Sequence, residues 1–298
     1  MLRGLYTAAS GMITQQRRHD TVTQNIANIN TAGYKQVNSV THSFPDVLIS
    51  LMGDKETGGQ KTIGRLTTGV FAEESMSSFM QGDLKETNNS SDFGLVSSLG
   101  LIDPATDQPI PFDASGKYVT EDGEVIYRPE VFFTVQDANG ETRYTRDGGF
   151  RVNAAGGLLT NQGQAVLGSD GNPIVLQPGV TIDQVQSDGL GNLTSLDEEG
   201  EPVIVATLGV VVVNNPHQLV REGHGVFRVD NVQAANIRAL EAEDNASVRQ
   251  GYLESSNVDT AQAMVDLMAA QRAYESNQKL IQYYDKSLEK AVNEIGRV

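Results

Sequence analysis

The run NNPHQLVREGHG contains the residue types that come nearest to a metal site. Within it, His217 and His224 flank Glu222. Imidazole and carboxylate groups bind zinc, but a site needs at least three protein ligands, and this spacing matches no established pattern. We therefore interpret both histidines as loop residues and predict no metal site.

Carboxylates are the other candidates for chemistry. Asp-Gly pairs recur along the middle of the chain, but none opens a D-x-[DN]-x-[DN]-G calcium loop with a glutamate at its twelfth position. Two facing carboxylates could cleave a glycosidic bond. With 38 acidic residues, however, some pair is inevitable. We interpret the Asp-Gly pairs as turns.

Motifs for catalysis and nucleotide binding are missing from the sequence. The chain contains no HExxH, GxSxG, GxGxxG or GxxxxGK[ST] run. It also has no cysteine, which excludes disulfides, cysteine-ligated zinc and thiol catalysis. We predict that the protein is not an enzyme and uses no cofactor.

The charge balance argues against nucleic acid as a partner. The formal net charge is −16, whereas nucleic-acid binding requires clustered Lys and Arg. Most of the acidity lies in residues 41–250, with −17, while residues 1–40 carry +3 and residues 251–298 carry −2. The two ends are therefore nearly balanced and weakly opposite in sign.

No membrane insertion and no cleaved signal peptide are expected. Arg3 interrupts the first apolar residues, and no apolar signal region follows. The longest apolar run, Val203 to Val213, covers 11 residues and includes Thr207 and Gly209. It is too short to span a bilayer and predicts a buried strand or a pair of strands.

Residues 1–35 predict an N-terminal helix that ends near Asn30 and Gly33, both of which tolerate a left-handed helix cap. Its thin stripe at helical spacing comprises Leu2, Leu5, Ala9, Met12, Gln16, His19, Val22, Ile26 and Ile29. An isolated helix of this kind is marginal in water.

Residues 251–298 predict a second, stronger helix. Its steps of three and four residues are typical of a coiled coil, although a surface helix packed on its own domain explains them too. We expect Ser255, Ser256 or Asn257 to cap it, with Asp259 in its first turn. The stripe comprises Met264, Leu267, Gln271, Tyr274, Gln278, Ile281, Asp285, Leu288, Val292 and Ile295.

Residues 71–250 change to short strands separated by turns. Asn-Gly and Asp-Gly pairs between apolar runs are strong hairpin signals. They occur at 122–123, 139–140, 147–148, 170–171 and 188–189, and the predicted strands are 131–135, 142–146, 150–152, 165–168 and 174–176. A Gly-rich linker at 36–70 precedes this domain, and an irregular insertion lies near 97–130.

These patterns predict a mainly β fold with α-helical termini. The central domain, 71–250, is all-β with short antiparallel strands. The helices in 1–35 and 251–298 have compatible stripes and opposite net charge. We expect them to pair as a coiled coil, or to pack against copies of themselves in other subunits.

The two ends carry a resemblance to a known family. The run Ala27-Asn28-Ile29-Asn30-Thr31-Ala32-Gly33-Tyr34-Lys35 resembles the N-terminal signature of the bacterial flagellar hook–basal body rod proteins. The runs GYLESSNVD (251–259) and QRAYESN (271–277) resemble their C-terminal segment. QGDLKETNN (81–89), YTRDGGFRVNAAGGLLTNQG (144–163) and NNPHQLVREGHGVFR (214–228) resemble their β domain. Together these runs are similar to a FlgF/FlgG-like rod protein, as a divergent paralogue.

The resemblance implies a structural subunit of the basal-body rod, the axial shaft that transmits torque from motor to hook. Such proteins leave the cell through the flagellar type III export apparatus. They assemble with copies of themselves and with other rod and hook proteins into a helical tube, whose inner layer is the coiled coil. The roughly 30 residues that follow DFGLV (92–96) depart from the rod pattern.

Two alternatives to a rod subunit stay open. One is a hook or hook-junction protein of the same axial family, which the gap at 97–130 favours. The other is a cell-wall-binding or cell-wall-degrading β protein lodged in the rod. A sugar site would need aromatic side chains to stack on, and the chain is only 6% aromatic and lacks Trp.

The signature residues are candidates for contacts between subunits. Amides in a crowded tube can bond backbone groups of neighbours, or they can cap their own chain; an aromatic ring can face an interface or pack on its own linker. The candidates are Asn25, Ala27, Asn28, Asn30, Thr31, Gly33, Tyr34 and Lys35. We expect that deleting 1–35 or 260–298 abolishes assembly and leaves the β domain folded.

Overall fold

The computed structural model describes residues 2–51, 61–73, 75–101, 109–113, 116–120, 123–177, 180–196, 201–223 and 225–295. The chain divides into two compact units. The first holds residues 1–27, 37–76 and 259–298, and the second holds residues 28–36 and 77–258. The signature residues 28–36 and the segment 251–258 therefore group with the β-rich unit.

The first unit is built on two long helices, α1 (Leu2–Ala27) and α3 (Thr260–Lys290), the latter followed by a π-helical turn at Ala291–Ile295. Its strands are β1 (Val37–Asn38), β2 (Thr41–Ser43), β3 (Val47–Leu51), β4 (Lys61–Leu66) and β5 (Val70–Ala72). Strand β2 pairs with β5 and β3 pairs with β4, both antiparallel. β6 (Met76–Ser77) follows. The described part of 36–70 thus holds regular strands, although a linker was predicted there.

Helices α1 and α3 run antiparallel and in close contact. Arg18 Nη2 lies 3.0 Å from Asp266 Oδ1. A Cβ at Gly4 would meet the Tyr284 ring, and one at Gly11 would lie 3.1 Å from Asn277 Nδ2. Small residues at this seam allow the two backbones to approach each other closely. On its other side, α1 bonds β5 through Thr14 and Arg17.

Both helix boundaries differ from the predicted ones. Helix α1 ends at Ala27, before Asn30 and Gly33. Helix α3 begins only at Thr260, because Asp259 caps it by accepting bonds from Ala261 N and Gln262 N. The expected caps at 255–257 and the first-turn position of Asp259 were wrong. Among the described helices, none combines the length and apolarity needed to cross a membrane.

The second unit is a β domain of short antiparallel strands. Its strands are β7 (Leu84–Glu86), β8 (Phe93–Ser97), β9 (Lys117–Val119), β10 (Val125–Tyr127), β11 (Glu130–Gln136), β12 (Thr142–Thr145), β13 (Phe150–Val152), β14 (Leu158–Thr160), β15 (Ala165–Val166), β16 (Gln186–Ser187), β17 (Asn192–Leu196), β18 (Pro202–Thr207), β19 (Val210–Val213), β20 (Leu219–Gly223), β21 (Val226–Val229), β22 (Ile237–Ala239), β23 (Ala246–Gln250) and β24 (Tyr252–Glu254). Short helices lie at Ile182–Gln184, Pro216–Gln218 and α2 (Val232–Ala235).

The largest sheet places β11 at its centre. Its order is β13-β14-β15-β11-β12-β21-β20, and β19 pairs with both β11 and β22. Side chains of β11 alternate between two cores: Val131, Phe133 and Val135 enter one, and Phe132 enters the other. A strand buried on both faces explains why residues 131–135 are apolar except for Thr134.

Several local predictions in the β domain need correction. Residues 174–176 form only an isolated bridge, between Gly157 and Val175. Asp147-Gly148 closes no hairpin, because β12 and β13 are not paired. The insertion near 97–130, expected to be irregular, contains the hairpin of β9 and β10 in its described part. In the run 203–213, β18 exposes Val203 and Ile204, so only β19 is a buried strand.

Candidate functional site

The signature segment after α1 is shaped by tight turns. Thr31 N bonds Asn28 O, and Tyr34 N bonds Thr31 O. Gly33 has φ +66°, and a Cβ there would lie only 2.4 Å from the backbone carbon of Arg146. A residue with a side chain would therefore be strained and would clash, so glycine is required for this close approach.

This turn delivers Lys35 into the interior of the β unit, where its side chain is fully buried. Lys35 Nζ lies 2.8 Å from Glu254 Oε1 and donates to Met80 O at 2.8 Å. Glu254 Oε1 also accepts from Gly82 N at 2.9 Å. The last residue of the N-terminal signature is thus paired with a residue of the C-terminal strand β24.

Arg146 completes a buried cluster of charges. Its Nε donates to Glu254 Oε2 at 2.8 Å, and its Nη1 donates to Val131 O at 2.7 Å. Glu130 Oε2 lies 3.8 Å from the same Nη1. Two cations and two carboxylates therefore share one buried site, and such a site is tolerable only because the opposite charges are paired.

Burial and pairing move the pKa values in this cluster. Burial, helped by the neighbouring Arg146 charge, lowers the pKa of Lys35 to about 8. Burial alone would raise the pKa of Glu254, but Arg146 and Lys35 outweigh it and lower that pKa to about 2. Burial raises the pKa of Glu130. Glu254 is therefore the firmly ionised carboxylate that holds both cations.

Arg221 of β20 and residues 254–257 hold Tyr34 and its neighbours in place. The Arg221 guanidinium lies over the Tyr34 ring at 4.4 Å, and its Nη2 donates to Lys35 O. Asn257 Oδ1 accepts from Gln36 N at 2.6 Å, and Gly33 N donates to Glu254 O at 2.8 Å. Residues 33–36 therefore lie beside residues 254–257 within the β unit.

Asn25 acts within its own chain. Its Nδ2 donates to Val37 O at 2.8 Å, and its Oδ1 accepts from Val37 N at 3.0 Å. This buried reciprocal pair closes the chain reversal between α1 and β1. Own-chain capping is the alternative that the sequence had left open for this residue.

The eight signature candidates thus separate into two groups. Asn25, Gly33, Tyr34 and Lys35 are buried in the single chain, so the expectation that they face another subunit is corrected for these four. Ala27 and Asn30 are exposed, and Asn28 and Thr31 are half-buried. An assembly role for this second group stays a prediction.

The predicted stripe of α3 also separates into two faces. Leu267, Tyr274, Ile281 and Leu288 are half-buried, whereas Met264, Gln271, Gln278 and Val292 are exposed. The residues that face α1 beside the first group lie one position before the predicted Met264, Gln271, Gln278 and Asp285. They are Ala263, Ala270, Asn277 and Tyr284. Apolarity misled the prediction here, because the close seam with α1 takes small and polar residues.

Apolar side chains remain exposed across the first unit. Tyr6 is 70% exposed, Met264 52% and Val292 71%. Between α1 and the β3–β4 hairpin lies a groove of about 830 Å³. Its apolar lining comprises Tyr6, Val47, Leu48, Ile49 and Leu66. Large exposed apolar patches mark interaction surfaces.

The residues first considered for metal chemistry do not converge in the described part of the chain. His217 packs on the Tyr127 ring at 4.4 Å, and His224 lies outside the described residues. No three histidines, aspartates or glutamates come together there as a metal site requires.

Sequence reasoning missed the residues that surround Lys35 in the folded chain. Arg146, Glu254, Glu130 and Arg221 lie 95 to 219 positions from it along the chain, and no periodicity links them. A signal was nevertheless present. Arg146 lies in the run YTRDGG and Glu254 in GYLESSN, both quoted for the family resemblance.

Three family models match the chain, and the buried cluster draws on all of them. "Flagella basal body rod protein" matches residues 5–35, which include Lys35. "Flagellar hook protein FlgE/F/G D1 domain" matches 130–213, which include Glu130 and Arg146. "Flagellar basal body rod FlgEFG protein C-terminal" matches 249–294, which include Glu254.

Curated relatives match along the whole length. The flagellar hook-basal body complex protein FlhO of Bacillus subtilis is 33% identical over 100% of both chains. FlhP of the same organism is 30% identical over 97% of both. The flagellar basal-body rod protein FlgG of Bacillus subtilis is 28% identical over 98% of this chain and 99% of its own length. The chain therefore belongs to the flagellar basal-body rod and hook family of structural proteins, as a divergent paralogue of the rod proteins.

Proposed function

We propose that the protein is a structural subunit of the flagellar basal-body rod that polymerises through its terminal helices into the axial drive shaft. The observation that carries this proposal is the exposed apolar surface of the first unit. Besides the groove, it includes Ile13, Val265, Met268, Leu280 and Tyr283. An exposed apolar surface of this size is unusual for a protein that stays monomeric, and it marks a surface for interaction with other subunits.

The two helices pair as a coiled coil in this proposal. Seven-residue spacing relates Gly4, Gly11 and Arg18 on α1, and likewise Ala270, Asn277 and Tyr284 on α3. Gly4 faces Tyr284, Gly11 faces Asn277 and Arg18 pairs with Asp266, and these contacts support a coiled-coil pairing of the two helices. The opposite face of α3 is then free to meet other subunits. A heterologous contact of this kind produces a helical polymer when its rotation does not close.

The remaining parts of the proposal rest on the family. Relatives named FlgG are basal-body rod proteins, which supports the rod over the hook as the place of this chain. Its partners are then copies of itself and other rod and hook proteins. It reaches the basal body through the flagellar export apparatus.

Fractionation of hook–basal bodies tests the proposal. The source cells would carry an epitope-tagged chain, and purified basal bodies, detached hooks, filaments and culture medium would be compared by quantitative mass spectrometry. We expect the chain in the basal-body fraction at several to tens of copies for each basal body.

The other outcomes overturn the proposal in different ways. Enrichment in detached hooks would assign the chain to the hook or its junction. Presence in the medium alone would indicate an exported protein that does not polymerise, and would turn attention to a cell-wall role for the β domain. The tag is placed after residue 298, and a strain with an untagged chain and normal swimming serves as the control.

A further inference from the structure

The buried charges lie where the two ends of the chain come together. Residues 33–36 follow α1 along the chain, and residues 252–257 precede α3. Lys35, Arg146 and Glu254, called the clamp below, join these two segments to strand β11 through Val131 O. Each clamp side chain is almost completely buried.

Glu254 is the member that both cations share. One of its oxygens faces Lys35 and the amide of Gly82, and the other faces Arg146. Removal of residues 252–257 would leave Lys35 and Arg146 buried without Glu254, and removal of residues 33–36 would leave Glu254 with only one of its two cations. An uncompensated buried charge is strongly unfavourable, so the two segments are stable in place only together.

We propose that Lys35 and Glu254, with Glu254 held in place by Arg146, couple the two segments that lie next to α1 and α3, so that neither segment is ordered unless the other is docked. The coupling itself concerns only the folded β unit. Its role in assembly rests on the proposed function, because these segments set where α1 ends and α3 begins along the chain.

Amide hydrogen exchange on the full-length chain tests the coupling directly, by measuring whether a change in one segment is felt in the other. Lys35→Met alters the N-terminal side, and the probe is the amide of Ser255, which bonds Asp83 O at 2.8 Å. Glu254→Gln alters the C-terminal side, and the probe is the amide of Gln36, which bonds Asn257 Oδ1.

We expect each variant to accelerate exchange at the distant probe by tenfold or more, while amides of the β11–β19 ladder keep their rates. The double variant should exchange no faster than the faster single variant, because both changes release the same coupled state. Independent structural effects would instead multiply.

A matched control uses a second ion pair in the same unit. Arg238 and Asp244 form such a pair, and Asp244 also accepts from Glu241 N at 2.9 Å. Asp244→Asn should accelerate exchange near Glu241 and leave the Gln36 and Ser255 amides unchanged. The proposal fails if Lys35→Met alters only its own segment, or if the double variant shows the product of the single effects. If Glu254→Gln does not fold, Lys35→Met alone decides the question. None of these outcomes depends on where the chain is found in the cell.

Discussion

At the scale of single residues, Gly33 links backbone conformation to the buried charges. It combines a positive φ with backbone atoms of Arg146 and Asp147 that a Cβ would approach within 2.4–2.6 Å. Neither obstacle can move aside, because both belong to the main chain of the β unit. The signature glycine is therefore a requirement of packing and not a helix cap.

Gly33→Ala should lower the free energy of unfolding by about 3 kcal/mol, as the sum of left-handed strain and overpacking. Urea unfolding followed by circular dichroism measures this. Gly163→Ala is the control, since Gly163 has φ +88° with no atom near its Cβ position. The control should lose only about 1 kcal/mol. Equal losses would refute the close approach as the reason for Gly33.

Glu254 makes stability depend on pH in the acid range. Its pKa is about 2 in the folded chain against an ordinary value of 4.5. Between these values the unfolded chain binds the extra proton, so stability rises with pH. The contribution is complete above about pH 4.5 and is lost as the pH falls towards 2. A shift of this size corresponds to about 3 kcal/mol.

Unfolding free energies of the wild type and Glu254→Gln, measured from pH 7 to pH 2, check this. The difference between the two proteins should shrink by about 3 kcal/mol as the pH falls from 4.5 to 2. A difference that stays constant across this window would show that Glu254 titrates at its ordinary pKa. Lys35 acts in a separate window, above about pH 8, so it does not interfere.

At the scale of elements, the sequence predicted that both ends are helical and that the middle is all-β, because periodicity and turn residues are local signals. It did not predict which side of each helix faces the other. The seam runs through Gly4, Gly11, Ala263 and Ala270, which carry almost no apolar signal. Close packing of small residues is visible only when both helices are present.

A substitution at Met264 tests whether the exposed face of α3 is an assembly surface. Met264→Glu places a charge on the exposed side and should change the free energy of unfolding by less than about 0.5 kcal/mol. The same substitution should reduce incorporation into basal bodies at least tenfold, as measured by quantitative mass spectrometry. Ser276→Glu, also exposed on α3, adds the same charge at a polar position. Equal incorporation of both variants would argue against the apolar face as an assembly surface.

At the scale of the whole molecule, the β unit does not begin where the sequence changes from a helical to a strand pattern. Lys35 belongs to the β unit although it closes the N-terminal signature. A chain without residues 1–35 should therefore keep a β domain that is less stable, because the deletion removes Lys35 from the buried ion pair. The pairing could not be inferred from the sequence, because residues 35 and 254 are joined by charge and burial and by no shared pattern.

Two deletions test whether the β unit begins after α1 or after the N-terminal signature. Removal of residues 2–27 takes away α1 and leaves Lys35, so the β unit should keep its unfolding midpoint in urea. Removal of residues 2–35 also takes away one partner of a buried ion pair and should lower the free energy of unfolding by about 3 kcal/mol. Both deletions should abolish incorporation into basal bodies. If the longer deletion unfolds at the same urea concentration as the shorter one, Lys35 does not stabilise the β unit.

The pairing of Lys35 with Glu254 also has a kinetic consequence. Closing a contact across 219 residues carries a loop-closure entropy that local hairpins avoid, and folding slows as contacts become more distant in sequence. When the chain is made from its N-terminus onwards, this contact cannot form until residue 254 has been added. Early hairpins such as β11–β12 can appear long before. The β unit is therefore completed only when strand β24 arrives, so this strand sets the time at which that unit can reach its folded state.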